Sequence, residues 1–437
     1  MDRSILADLQ AWKTKAHRKP LIIDGARQVG KTWVMKHFAE ASFKDFLYIN
    51  FDHLAYLDYH KIFTSGHGVG KIIELLEFES GMRITPGQTL LVFDEIQEVP
   101  AALSGLKYFN EEMPDQHIIC AGSQMGIALH QGTSFPVGNV DTINMLPMSF
   151  NEFLHATGSG KYAELIEDGN LDMVVQLHEK YLELLKTYIY VGGMPEAVQR
   201  YSDGEDLEAI RELQYQLLNN FRADFSKHAP AALISKLNLV WDSIPRQLAK
   251  ENKKYVWSVI RKGARASEFE NAIQWLEDCG LVHRVSQLSV PELPLAAYAA
   301  PDTFKVYSLD IGLLAAQAGV SAKMIFDGSG VYTQFKGTLA EQFALQEMKH
   351  HHKRLFYWTG TSSEIAFVIQ SDNHAIPIEV KSGENLNAKS LRAYQDKYHP
   401  IRAYKLSMLP YRENEIVINL PLYLASLIHG QTLEPSP

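Results

Sequence analysis

Cysteine is scarce in this sequence, and its scarcity limits the chemistry available to the chain. Two cysteines occur among 437 residues, Cys120 and Cys279, each inside an apolar stretch. Two such residues give no basis for a disulfide framework or a cysteine zinc site. We therefore expect a protein of a reducing compartment.

Long apolar runs and an excess of positive charge are also missing. The first twenty residues hold no continuous apolar core of the signal-peptide type, and no later run is long enough to span a bilayer. We expect a cytoplasmic protein without a membrane partner. The formal net charge of -9 argues against a protein that coats nucleic acid by bulk electrostatics. A local basic patch remains compatible with DNA binding.

Size and composition bound the number of domains. Single cores stop growing at about 250–300 residues, and this chain has 437. Its 46% hydrophobic and 21% charged residues are typical of a globular protein rather than a disordered one. We expect two or three domains.

The N-terminal part alternates short apolar runs with amphipathic stretches. Five runs are expected to be strands: LIID (21–24), FLYINFD (46–52), TLLVFDE (89–95), HIICAGS (117–123) and TINM (142–145). Apolar strands between helices predict a parallel sheet covered on both faces. Residues 1–150 are thus predicted to form an α/β domain.

The segment GARQVGKT (25–32) follows the first run and matches the pattern G-x-x-x-x-G-K-[ST]. Gly25 and Gly30 allow the backbone to curl around phosphates, and the N-terminus of the following helix adds positive potential. Lys31 is predicted to neutralise the β- and γ-phosphates, and the Thr32 hydroxyl to ligate Mg²⁺. The predicted ATP contacts are Gly25, Ala26, Arg27, Gln28, Val29, Gly30, Lys31, Thr32 and Trp33. The alternative is a glycine turn that happens to precede Lys-Thr.

Polar residues end two other predicted strands of this domain. In LLVFDEIQ (90–97), Asp94 is predicted to hold the magnesium shell, and Glu95 to polarise an attacking water. Ser123 ends HIICAGS on the edge where ligands collect in open α/β sheets, within reach of the γ-phosphate or the water. The alternatives are solvated acidic residues at a strand end and a serine that caps the next helix.

Several motifs together resemble a known family. GARQVGKT, VFDEIQ, AGSQMG, LPMSFNEF (146–153) and GGMPEAV (192–198) follow one another in an order and spacing that resemble the prokaryotic AAA-type ATPases with a C-terminal domain of uncharacterised function. The resemblance covers nearly the whole chain. It implies a P-loop ATPase that uses ATP and Mg²⁺, with Lys31 and Thr32 at phosphate and magnesium, Asp94 at magnesium, Glu95 as base and Ser123 as sensor.

The same resemblance implies a role for the Gly-Gly-Met-Pro break at 192–195. It is similar to the element by which related nucleotide switches contact adenine, which would place Pro195 near the base. The alternative is a glycine-proline turn between helices. Oligomeric relatives supply an arginine finger in trans. An oligomer is therefore compatible with this chain, but no arginine is assigned.

Beyond residue 150 we expect a helical lid at 151–228 and a winged-helix-like segment at 229–310. Its best-marked helix is SEFENAIQWLED (267–278), with Ser267 and Glu270 as a capping box. A basic cluster precedes it and could contact phosphates: Lys253, Lys254, Arg261, Lys262 and Arg265. The helix itself is acidic, so we favour a structural winged helix over a DNA reader.

The C-terminal segment, 311–430, resembles a nuclease-like α/β domain in which acidic residues hold a divalent metal. Glu341, Glu379 and Lys381 match three positions of that pattern, but Ala366 stands where the pattern has a metal-binding aspartate. Alanine cannot ligate a metal. Glu364 lies on the same strand face as Ala366, but its reach and position differ. We expect a degenerate nuclease fold kept for binding or assembly.

Three hypotheses follow for function. The first is an ATPase whose cycle drives conformational change in its C-terminal domains, acting on double-stranded DNA or a protein partner. The second is a switch that binds ATP without turnover. The third is an ATP-dependent DNA nuclease, against which Ala366 counts.

Overall fold

A computed structural model describes residues 3–122, 135–250, 252–327, 333–383, 389–414 and 416–429. The chain divides into two compact units. The first comprises Met1–Leu146 with Asp278–Leu281, and the second comprises Pro147–Glu277 with Val282–Pro437.

The first unit is built on a five-stranded sheet whose strands arise from the apolar runs of the sequence. The strands are β1 Leu21–Asp24, β2 Asp45–Asn50, β3 Thr89–Asp94, β4 Ile118–Ala121 and β5 Asp141–Asn144. Their order is β2-β3-β4-β1-β5, and all neighbouring strands pair in parallel. The predicted parallel α/β class is confirmed. The carboxyl ends of β1 and β3, which precede the predicted site residues, therefore lie at the same edge of the sheet.

Helices cover this sheet because each has one apolar face. The helices are α1 Ile5–Thr14, α2 Lys31–Ser42, α3 Leu57–Thr64, α4 Val69–Ser80 and α5 Pro100–Glu112. Phe63, Leu76 and Leu106, from α3 to α5, pack in one core with Ile49 and Phe93 of the strands. Helix α2 instead packs against β2, β3 and β4 and contacts α1. Burial of these faces holds the loop between β1 and α2 in place.

The second unit begins with a helical region and continues into a sheet with further helices. The helices of this part of the chain are α6 Phe150–Ala156, α7 Gly160–Glu167, α8 Leu171–Gln176, α9 His178–Val191, α10 Pro195–Ser202, α11 Leu207–His228, α12 Ala231–Leu248, α13 Ala266–Asp278, α14 Ile311–Gln317, α15 Ala322–Phe326, α16 Thr333–Lys349 and α17 Lys389–Tyr398. Helix α6 begins with a capping box between Ser149 and Glu152.

The sheet of the second unit is mixed and has eight strands. They are β6 Val282–Leu288, β7 Ala299–Ser308, β8 Phe356–Thr359, β9 Glu364–Ser371, β10 His374–Val380, β11 Ala403–Ser407, β12 Arg412–Glu413 and β13 Val417–Pro421. Their order is β12-β13-β11-β10-β9-β8-β6-β7. Strands β6 and β7 form an antiparallel hairpin, and β6 pairs in parallel with β8. The hairpin of the segment expected to be winged-helix-like is thus part of the C-terminal sheet.

Helix α13 matches the predicted helix 267–278 apart from its start. It begins at Ala266, so Ser267 lies inside the first turn and not at the predicted cap position. The Glu270 carboxylate, expected to close the capping box, accepts a hydrogen bond from Arg284 at 2.7 Å. The predicted capping box is therefore wrong, and Glu270 instead contacts Arg284 of β6, a tertiary partner that the local sequence pattern does not contain.

Within the described ranges, no helix combines the length and the apolarity needed to cross a membrane.

Candidate nucleotide-binding site

The loop between β1 and α2 has the backbone conformation that its glycines predict. Gly25, Gln28 and Gly30 have φ values of 145°, 65° and 96°. A side chain at Gly25 would bring its Cβ to 2.2 Å from the carbonyl oxygen of Met145, so glycine is required there. Since the cap residue of α2 is Gly30, no cap side chain occupies the N–H groups of the first turn. Such a turn is suited to an anion.

Lys31 is buried within this loop. Its Nζ donates hydrogen bonds to the carbonyl oxygens of Gly25 and Ala26, both at 2.7 Å. Burial lowers the pKa of Lys31 to about 8, although the carboxylates of Glu95 and Asp24 act to raise it. The ammonium is therefore held under the loop by neutral dipoles, in a position that fits the neutralisation of a phosphate.

Asp94, at the end of β3, is the centre of a hydrogen-bonded group. Its Oδ2 accepts a hydrogen bond from Thr32 Oγ1 at 2.6 Å and another from the Tyr48 hydroxyl at 2.8 Å. Its Oδ1 accepts from the backbone N–H of Glu95 at 3.1 Å. Burial raises the pKa of Asp94, and the hydrogen bonds from Thr32 and Tyr48 act in the opposite direction.

Thr32 and Asp94 fit a magnesium ion shared with a nucleotide. A hydroxyl and a carboxylate are hard oxygen donors, and Mg²⁺ takes one or two protein ligands with phosphate oxygens and water completing its shell. Among the described residues, no cluster of three or more His, Cys, Asp or Glu side chains is arranged to hold a metal by itself. Thr32 and Asp94 would leave the rest of a magnesium shell to phosphate oxygens and water.

Glu95 follows Asp94 in a left-handed backbone conformation, with φ 50° and ψ 45°. It precedes a short 3-10 turn, Ile96–Glu98. The Oε2 of Glu95 accepts a hydrogen bond of 2.6 Å from Gln97 Nε2. A non-glycine residue in this conformation is uncommon, and such residues cluster at functional sites. The predicted base is thus fixed by its own turn.

An anchor of the loop was missed by sequence reasoning. Buried Arg3 donates from Nη1 to the carbonyl oxygen of Val29 at 2.9 Å and from Nη2 to that of Leu146 at 2.7 Å. It ties the loop to the segment that follows β5. Val29 is buried, Arg27 is half-buried and Gln28 is exposed. No sequence signal connects Arg3 with Val29, because their proximity depends on how α1 packs.

Trp33 presents an aromatic ring in the first turn of α2. Its side chain is 43% exposed. The ring stacks on His37, one turn further along, with centroids 4.7 Å apart and an interplanar angle of 11°. The exposed Trp33 ring, backed by half-buried His37, offers a stacking surface close in sequence to the phosphate loop.

Two further residues, Ser123 and Pro195, were predicted to belong to this site. Ser123 lies outside the described residues. Pro195 belongs to the second unit, where it opens α10. Before it, Gly193 N–H donates to Asp310 Oδ2 at 2.6 Å, and the Gly193 carbonyl accepts from Met148 N–H at 2.7 Å. These bonds favour the alternative interpretation of a turn between helices.

A polar cavity of about 420 Å³ lies in the second unit. Its lining includes Glu341, Glu364, Ala366, Glu379 and Lys381. The side chains that the resemblance singled out are therefore brought to one cavity, together with the alanine that departs from the pattern.

Lysines already pair with the carboxylates of this cavity. Lys253 Nζ lies 2.5 Å from Glu341 Oε1, and the Tyr307 hydroxyl donates to Glu341 Oε2 at 2.9 Å. Fully buried Lys305 forms an ion pair with Glu364, and its Nζ lies 4.0 Å from Glu341 Oε2. Burial acts to raise the pKa of Glu341, but the charges of Lys253 and Lys305 outweigh it and lower the pKa.

The predicted basic cluster at 253–265 is divided by these pairings. Lys253 is buried against Glu341, and Arg261 forms an ion pair with Glu268. The remaining members are exposed: Lys254, Lys262 and Arg265. The expectation that the cluster could contact phosphates is therefore wrong for Lys253, because this residue is buried in an ion pair with Glu341.

The parallel sheet, the glycine loop and the acidic strand end define a P-loop NTPase fold. In agreement, residues 17–154 match the family model described as "AAA domain". Residues 182–324 and 336–423 match two models described as domains of unknown function, DUF8612 and DUF4143. No curated protein matches the chain.

Solved structures resemble the chain at a distance. One is the Walker-type ATPase Paby2304 of Pyrococcus abyssi, with 16% identity, covering 72% of this chain and 95% of that one at a TM-score of 0.43. Another is the Aeropyrum pernix ORC2 protein in ADPNP-ADP complexes, with 12% identity, coverage of 75% and 95%, and a TM-score of 0.34. The Aeropyrum pernix ORC1 protein in complex with DNA has 13% identity, coverage of 73% and 93%, and a TM-score of 0.29.

Proposed function

We propose that this chain is a magnesium-dependent ATPase whose hydrolysis cycle drives conformational change in its C-terminal half. Two contacts carry the proposal. Lys31 is buried inside the glycine loop, and Thr32 next to it donates a hydrogen bond of 2.6 Å to Asp94 at the end of β3. Cation, hydroxyl and carboxylate then face one place where a triphosphate and its ion can bind.

The phosphate loop and the residues around Asp94 have different roles in this proposal. Residues 25–33 contact ATP, with Lys31 on the β- and γ-phosphates and the N–H groups of the loop and of the first turn of α2 around them. Thr32 and Asp94 would hold Mg²⁺, which supplies charge neutralisation of the phosphate oxygens when bound. Tyr48 keeps the Asp94 carboxylate oriented through its hydrogen bond of 2.8 Å.

Glu95 is the proposed general base. Its carboxylate orients a water and accepts the proton as that water attacks the γ-phosphorus, while the leaving ADP oxygen departs in line. We assign Ser123 the role of a sensor of the γ-phosphate or the water, on its position after β4. Trp33 is a candidate for stacking at the base end, and Pro195 stays a second candidate for contact with adenine.

The C-terminal half is proposed as the receiver of the conformational change. We infer a winged-helix-like segment followed by a degenerate nuclease-like domain, whose cavity carboxylates are already paired with lysines. Double-stranded DNA and a protein partner are both compatible with this half, and the exposed cations Lys254, Lys262 and Arg265 are the ones that could contact a phosphate. An oligomer that supplies an arginine in trans is compatible with this cycle.

The test is ATP hydrolysis by the purified protein and by Glu95→Gln, with magnesium, each with and without double-stranded DNA. We expect wild type to turn over and the variant to bind ATP with kcat lower by roughly 10²–10⁴, the contribution of a general base. Glu98→Gln is a matched control, since Glu98 lies three residues further on and is exposed. Stimulation by DNA would identify the partner.

Two other results would contradict the proposed ATPase. Wild-type protein that binds ATP without any turnover in these conditions would overturn the enzyme and leave the non-turnover switch. Magnesium-dependent nicking of plasmid DNA would instead support the ATP-dependent nuclease.

A further inference from the structure

Gln97 is the side chain that touches the proposed base. Its Nε2 donates to Glu95 Oε2 at 2.6 Å, which is short for a hydrogen bond from an amide to a carboxylate. The two residues sit on either side of Ile96, which is fully buried and fixes the turn in the core.

The chemistry of the pair sets the direction of the amide. An ionised carboxylate can only accept hydrogen bonds, so the amide must turn its nitrogen toward Glu95 and its oxygen away. The Oε1 of Gln97 is then buried without a hydrogen-bond partner among the described residues. A buried, unpaired acceptor costs free energy of folding, so the bond to Glu95 is made at a cost on the other side of the amide.

The backbone adds a second constraint. Glu95 is held in the left-handed region, and its carbonyl accepts a hydrogen bond from Glu98 N–H at 3.0 Å. With the backbone fixed on one side and the Oε2 atom held on the other, the Glu95 side chain keeps one orientation. A carboxylate held in one orientation is suited to accept a proton from a water in a fixed position.

We propose that Gln97 is a positioning residue that fixes the Glu95 carboxylate for attack of water on ATP. The inference deepens the proposed function and rests on it. A neutral amide suits this task, because it orients the base without the positive charge that would weaken its basicity.

The test compares Gln97→Glu and Gln97→Leu with wild type, measuring kcat for ATP hydrolysis and the Kd of ATP. Gln97→Glu keeps the shape but replaces the donor with a second carboxylate, and Gln97→Leu removes the donor without adding charge. We expect kcat to fall roughly tenfold or more in both variants, while the Kd of ATP changes by less than about twofold. Gln88→Glu is the matched control, since Gln88 is exposed in the same unit.

A third measurement separates positioning from a structural role. In a Glu95→Gln background, Gln97→Leu should have no further effect on the residual rate, because the base that Gln97 positions is gone. An equal loss of rate in both backgrounds, a loss of ATP binding, or wild-type kcat in the variants would overturn the inference. If wild type itself does not turn over, the proposed function fails first and this inference falls with it.

Discussion

Lysines and carboxylates come together in both units, but the two regions use them differently. In the first unit, Lys31 is bonded to the carbonyl oxygens of Gly25 and Ala26. In the second, Lys253 and Lys305 are bonded to carboxylates. A cation bonded only to neutral dipoles can still neutralise an anionic ligand, whereas the charge of a cation in a buried ion pair is already neutralised by its carboxylate. The contrast teaches that lysines and carboxylates do not by themselves make a ligand-binding site. The partner of each charged group decides whether that group can still bind a ligand.

The largest effect is expected from breaking the second region. Lys305→Met leaves Glu364, and in part Glu341, without their buried cation. We expect the free energy of unfolding to fall by about 3–5 kcal/mol, the usual cost of removing one partner of a buried pair. Denaturant unfolding measures it, with exposed Lys323→Met as the control within about 0.5 kcal/mol of wild type. A loss below about 1 kcal/mol would show that the pairing is not structural.

The same substitution in the first region should act on the ligand and not on the fold. Lys31→Met is expected to weaken ATP binding on the order of 100-fold or more, because a charge-assisted contact is lost. Its free energy of unfolding should be unchanged or higher at pH 7, since the variant no longer buries an ammonium. Calorimetric titration with ATP, alongside exposed Lys44→Met, checks both statements. Retained ATP affinity would remove Lys31 from the site.

A pH series sharpens the contrast further. Burial lowers the pKa of Lys31 to about 8 in the folded protein without ligand. Below that pH the lysine is charged and ready for phosphate. Above it, binding must take up a proton, so the Kd of ATP should rise by up to about tenfold per pH unit.

Titrations at pH 7, 8 and 9 measure this dependence. Lys31→Arg is the control, because arginine stays protonated across the range and its Kd should be flat. A wild-type Kd that does not change between pH 8 and 9 would contradict the proposed role of the lysine charge.

The smallest effect on activity is expected from completing the acidic pattern of the cavity in the second unit. Ala366→Asp adds the missing carboxylate, yet Glu341 and Glu364 still hold lysines. We expect no plasmid nicking with Mg²⁺ or Mn²⁺ above the wild-type level. Cleavage by Ala366→Asp, with none by wild type, would mean that a metal can displace the lysines and that a single substitution restores a nuclease centre.

The fold of the first unit could be predicted from local pattern. Its five strands follow the apolar runs, and all of them pair in parallel as their spacing by helices predicts. The loop at 25–32 could be predicted as well, because Gly25 and Gly30 adopt backbone angles that few other residues accept. Asp94 and Glu95 were found for the same reason, since they end an apolar strand of this sheet.

Other features were hidden because they depend on strand order and packing. Tyr48 reaches Asp94 because β2 lies beside β3, with Asn50 opposite Asp94 in the register. Arg3 reaches Val29 across 26 residues of sequence. The Gln97 contact was the exception that a close look could have found, since it spans two residues.

The sequence by itself determined the class of the first unit, its phosphate loop and the acidic pair after β3, because glycine conformations and apolar periodicity act over a few residues. Only the tertiary structure decided which charges are free for a ligand. Lys253 and Lys305 come from segments far from Glu341 and Glu364 in sequence, and packing of the second unit brings them together. The energy of an ion pair depends on the distance between the two charges in space, so it does not follow their separation in sequence.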